Sequence, residues 1–183
     1  MVFTNLRKTF DEIILKNCLK FYSFTLMKPE SISTIKQELL QSPPDKLIEY
    51  CIRMARYKVE NKELLNYLIF QAYDQDAFIL IVKEEIDEQF KNLNKSKLYL
   101  AKKTIRKVLR TTQKYIKFSG EKTTELDLLI YFCRKMKTAG LPLRYGSVLG
   151  NLYQRQVDRI KKVLNSLHED LRLDYEDEVS KID

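Results

Sequence analysis

The sequence predicts an all-α protein, a compact bundle of six or seven helices, with a short α-solenoid of helical hairpins as the alternative arrangement. Three observations carry this. Gly and Pro number only four each in 183 residues, too little turn material for many short strands. Apolar residues make up 44% and charged residues 32% of the chain, a globular balance and not a disordered one. Apolar positions recur at spacings of three and four through most of the length, the period of a helix with one buried face. The length suits one domain with a real core.

In chain order, residues 5–24 read as a weakly amphipathic helix, followed by a break at "LMKPESIS". Residues 1–26 are therefore read as an N-terminal helix or extension, a packing helix of the fold or, if Met27 is the start, a dispensable segment. Residues 27–173 are expected to form a single helical domain. A short helix over 32–41 places Ile32, Ile35, Leu39 and Leu40 on apolar positions. Ser42 then suits an N-cap, Pro43 a first helical position and Asp45 a first-turn acid. The stripe Leu47, Ile48, Cys51, Ile52 and Ala55 follows. Asn61 is expected to cap the next helix, with Leu64, Leu65, Leu68, Ile69 and Ala72 buried. Phe78 to Val82 is continuously apolar and suits strand or helix. Ile79, Val82, Ile86, Phe90 and Leu93 extend one helical face, so this is read as a helix whose first half is buried nearly all round.

The clearest helix spans 95–118. Leu98, Ala101, Ile105, Val108, Leu109, Thr112 and Ile116 form its apolar stripe. Lys95, Lys102, Lys103, Arg106, Lys107, Arg110, Lys114 and Lys117 fall in one arc on the other side at 100° per residue. Between Lys91 and Gly120 there are ten basic residues and no acid, which leaves 23 of the 33 basic residues against 25 acids elsewhere. The net charge of +8 is thus a local feature, the more informative kind. Gly120 suits the residue after a helix end. Thr124 and Asp127 resemble a capping box, and Leu126, Leu129, Ile130, Cys133 and Met136 follow. After a turn at Gly140, Pro142 and Gly146, a long last helix is expected from Ser147 to Leu173, and 174–183 is expected as an acidic frayed tail.

The segments "SKLYLAKKTIRKVL", "ELDLLIYFCRKMK" and "RYGSVLGNLYQRQVDRIKKVL" resemble a bacterial family of small all-helical proteins of unknown function. There too an AKK-bearing helix precedes an LLxYF-like helix and a YG turn. The resemblance loosely covers residues 45–167, and Arg134 and Lys135 depart from its more acidic pattern. It implies a helical protein and assigns no functional residue.

Little chemistry is visible. Cys18, Cys51 and Cys133 are far apart and form no CxxC pair, which points away from a disulfide framework or zinc site and toward a reducing cytoplasm. The single histidine, His168, is expected to be exposed. Glu84 and Glu88 share a helical face, but a di-metal bundle needs two Glu-x-x-His motifs. The four glycines form no phosphate-binding loop, and no GxSxG elbow is present. No catalytic, cofactor-binding or metal residue is assigned, and an enzyme is not expected. Aromatic residues such as Tyr67 and Phe78 are expected in the core, with Tyr99 alone inside the basic arc. A cytoplasmic monomer, a non-enzymatic helical interaction or structural domain, is the first reading. The alternative is nucleic-acid phosphate-backbone binding through Lys103, Arg106, Lys107, Arg110, Lys114 and Lys117. An acidic protein or an anionic membrane surface is a further partner for that rail. The bland reading is a solvated face balanced by the acidic helix around Glu84–Glu88. No run is long and apolar enough for a transmembrane segment.

Overall fold

Eight helices occupy the residues described by the computed structural model, which are 28–94 and 96–182. They are α1 (Ile32–Gln41), α2 (Pro44–Tyr57), α3 (Val59–Phe70), α4 (Gln75–Lys91), α5 (Leu98–Ser119), α6 (Lys122–Thr138), α7 (Val148–Leu164) and α8 (Glu169–Ser180). No strand occurs among the described residues, so the all-α class holds. The expectations for residues 1–26 lie outside the described residues, as do Lys95 and Asp183.

The chain falls into two units, one ending at Ile52 and one starting at Arg53. In the first, Ser31 caps α1, its Oγ accepting from the Thr34 amide at 3.1 Å. No residue of α1 is buried, and Ile32 and Leu40 are largely exposed. Ser42 closes α1 instead of opening α2: its amide bonds the Leu39 carbonyl and its hydroxyl donates to the Glu38 carbonyl at 3.0 Å. The reason is local. Ser42 and Pro43 each precede a proline, which keeps both out of the helical region, so Pro44 takes the first helical position.

In the second unit α4, α5, α6 and α7 pack together, with α3 added on α5 and α8 on α7. Helix α6 packs against α4, α5 and α7, and Leu126, Leu128, Leu129, Ile130, Phe132, Cys133 and Met136 are all buried. Thr124, expected as a cap, is also buried. The helix starts at Lys122, and the Thr124 hydroxyl lies 3.4 Å from Gln75 Oε1. Gln75 ties three helices together: its amide nitrogen donates to Tyr67 Oη at 2.8 Å, and its oxygen accepts from Ser119 Oγ at 3.1 Å. Gly120 ends α5 at φ 71°, its amide bonded to the Ile116 carbonyl, a left-handed conformation that glycine adopts without Cβ strain. Gly150 serves closeness: a Cβ there would lie 2.1 Å from the Arg144 carbonyl oxygen.

Further expectations are corrected. Asn61 does not cap α3; it lies in its first turn and donates to the Met54 carbonyl at 2.9 Å. The buried residue of α3 is Tyr67, while Leu68, Ile69 and Phe70 are exposed, because α3 lies at the bundle's edge. Leu80 and Ile81 of α4 are likewise exposed, although Ile79, Val82, Ile86 and Leu93 are buried as the helical face requires. The long last helix breaks between Leu164 and Glu169, and the expected frayed tail is, over 174–180, the second half of α8. Tyr175, Val179 and Ile182 recur at spacings of four and three. Val179 and Ile182 are buried, and Tyr175 donates to Asp127 at 2.9 Å.

Candidate anion-binding face

Helix α5 is long and free of Gly and Pro over 98–119, so nothing in its interior interrupts it. Ala101, Ile105, Val108, Thr112 and Ile116 are buried, one stripe at spacings of three and four. Thr112 satisfies its hydroxyl within the helix by donating to the Val108 carbonyl at 3.0 Å. With that stripe inward, the opposite side necessarily carries the cations. Lys103, Arg106, Lys107, Arg110 and Lys117 are exposed and Lys102 is half-buried. None of these six forms an ion pair among the described residues. From Lys102 to Lys117 the row is about 22 Å long at 1.5 Å per residue.

Lys114 is the exception among the residues expected on the rail. Its Nζ lies 2.9 Å from a Glu63 carboxylate oxygen and 4.5 Å from the Tyr115 ring centroid. Glu63 on α3 therefore withdraws one cation from the row, and a partner 51 residues away leaves no trace in the local pattern.

Three acids of α4 are engaged elsewhere. Glu85 accepts from the Tyr115 hydroxyl at 2.6 Å. Asp87 pairs with Lys135 at 2.8 Å and accepts from the Tyr131 hydroxyl at 2.7 Å. Glu88 pairs with Lys91. This settles how the acidic helix uses these three charges: they brace α5 and α6, or pair within α4, and leave the cationic row uncovered by them.

Burial pushes the Asp87 carboxyl up, but the Lys135 and Tyr131 hydrogen bonds and the charge of Lys91 outweigh it and hold the group below its ordinary 3.8. A depressed carboxyl stabilises the fold above its unfolded value, and that contribution is lost as pH falls through the folded value. Replacing Asp87 with Asn is therefore expected to lower the urea midpoint at pH 7. The gap to wild type should narrow as pH drops below 3.8, and a gap that stays constant down to pH 2.5 would contradict the assignment. Tyr115 and Tyr175 are pushed well above the ordinary tyrosine range, by burial first and then by their carboxylate partners. They are structural donors.

A cavity of about 530 Å³ lies along the row, lined among the described residues by Tyr99, Lys102, Lys103, Arg106, Leu109, Arg110 and Gln113. Leu109, expected in the buried stripe, is only half-buried and forms part of this wall. Gln113 was not singled out by sequence, although it lies four turns after Tyr99 and so on the same side. A second cavity of about 370 Å³ between α3, α4 and α5 is lined by Glu63, Phe78, Tyr115 and Phe118 among others.

Among the described residues no three His, Cys, Asp or Glu side chains gather in a way that could hold a metal ion. His168 is exposed at the start of α8, with Nδ1 3.3 Å from Asp170. Cys133 is buried, and burial pushes its thiol up to about 12. Cys51 is half-buried, and Cys18 lies outside the described residues. No described helix is long and apolar enough to cross a membrane. No family model matches the chain, and no curated protein or solved structure does.

Proposed function

We propose that the protein is a helical interaction domain, without catalysis of its own, that binds the phosphate backbone of nucleic acid along α5. The observation that carries this reading is the exposed row Lys103, Arg106, Lys107, Arg110 and Lys117, unpaired among the described residues, beside an acidic helix whose Glu85, Asp87 and Glu88 are bound elsewhere. Like charges held close on one helix face repel one another. A polyanion relieves that repulsion and releases its own condensed counterions. Backbone contacts supply affinity and position without reading sequence, which fits a row of Lys and Arg on a single helix.

The test is a titration of labelled oligonucleotides at about 50 and about 200 mM salt. Five phosphate contacts give a log–log slope of about −4.5 on duplex DNA or about −3.5 on single strands. Affinity is then expected to fall roughly 100- to 500-fold across that range, with little dependence on sequence. Absence of binding at ~50 mM, where screening is weaker than at physiological salt, overturns the proposal and leaves the row to an acidic protein or to solvent.

A further inference from the structure

Resting on that reading of the row, we infer that the α5 face takes a single strand and not a duplex, with a base stacked on Tyr99. Tyr99 is 77% exposed. It lies outside both the buried core and the residues packed against it. An aromatic side chain left in water gains nothing from burial. This one stands in the same wall as the cations. Arg106 and Arg110 follow it by seven and eleven residues, close to two and three full turns, so all three project within about 20° of one direction.

The spacing matches what a single strand presents. Lys102, Lys103, Arg106 and Arg110 lie about 4.5 to about 16.5 Å beyond Tyr99 along the axis, so phosphates on one side of a stacked base run directly into cations. Gln113, about 21 Å from Tyr99, adds an amide in the same wall able to donate and accept at a base edge. A positively charged groove with an aromatic platform is the combination that holds unpaired nucleic acid, since every base offers a π-face. A duplex buries those faces within its own stack. Against one, Tyr99 would be idle and only the backbone term would remain. Recognition here is of the strand's charge and base planes, shared by DNA and RNA, so the probes must include both.

The experiment uses the full chain and four fluorescein-labelled probes of about twelve residues: oligothymidylate, oligouridylate, and mixed-sequence duplexes of DNA and RNA, all at one ionic strength. Single strands are expected to bind more tightly than duplexes. Tyr99→Ala is expected to weaken single-strand binding about 5- to 150-fold, the range of one lost base stack, and to leave duplex binding within about twofold. Tyr99→Phe should retain wild-type affinity, and in Tyr99→Trp the indole emission should be quenched by a bound strand and not by a duplex. Tighter binding of oligouridylate than oligothymidylate would identify RNA as the strand. Equal affinity for strands and duplexes, with Tyr99→Ala moving neither or both alike, overturns this inference and leaves the backbone reading standing. A wild-type protein that binds none of the four probes overturns the backbone reading itself.

Discussion

Replacing Lys103, Arg106 and Arg110 together with Glu is expected to abolish oligonucleotide binding at about 150 mM salt, while the urea midpoint stays close to wild type. Three reversals turn the densest part of the row from attracting phosphates to repelling them, and every lost contact also forfeits its counterion release. Folding should tolerate the change. All three side chains are exposed and form no ion pair among the described residues, and such surface substitutions usually stay within about 0.5 kcal/mol. Lys114 is left out on purpose. Reversing it would set two carboxylates against each other at Glu63 and mix a stability effect into a binding result. Binding retained by the triple variant, measured by anisotropy, would place the anion site off α5.

Phe132→Ala is expected to destabilise the protein by about 3–5 kcal/mol, the range for deleting a buried aromatic side chain. Phe132 is fully buried in α6 and its ring meets Phe90 of α4 edge-on, with centroids 6.1 Å apart. At this chain length that loss corresponds to a fall of roughly 6–20 °C in melting temperature. Ile105→Ala, fully buried on the inner side of α5, should cost about 2–5 kcal/mol. A loss below about 1 kcal/mol at Phe132, read by urea denaturation, would mean that α6 is not the centre of the bundle.

The two faces of α5 were legible in the sequence because one period runs unbroken from Ala101 to Ile116 and the charge takes the other side. Helix α3 was not legible in this way. Leu64, Leu65, Leu68, Ile69 and Phe70 put apolar residues all round it, so no face stands out. The inward choice falls on Tyr67, whose hydroxyl is satisfied by Gln75, eight residues away and on the next helix. Helix α8 was hidden by its own charge: the acids between Glu169 and Glu178 mask the stripe Tyr175, Val179 and Ile182. Its anchor on Asp127 comes from α6. In the candidate site, five of the six expected cations are exposed, and Lys114 is lost to a long-range partner. Tyr99 and Arg106 could be placed on one side by counting turns, whereas the half-burial of Leu109 depends on how α5 settles against its neighbours.

The central claim is that the outer face of α5 meets nucleic-acid phosphate, and the most direct measurement is amide chemical-shift mapping. Isotope-labelled protein would be titrated with a short unlabelled oligonucleotide at low salt. The account predicts shifts concentrated at Tyr99, Lys102, Lys103, Arg106, Lys107, Arg110 and Lys117, with Ile105, Val108 and Thr112 on the inner side of the same helix moving far less. Shifts centred on another helix, or none at saturating oligonucleotide, would contradict it.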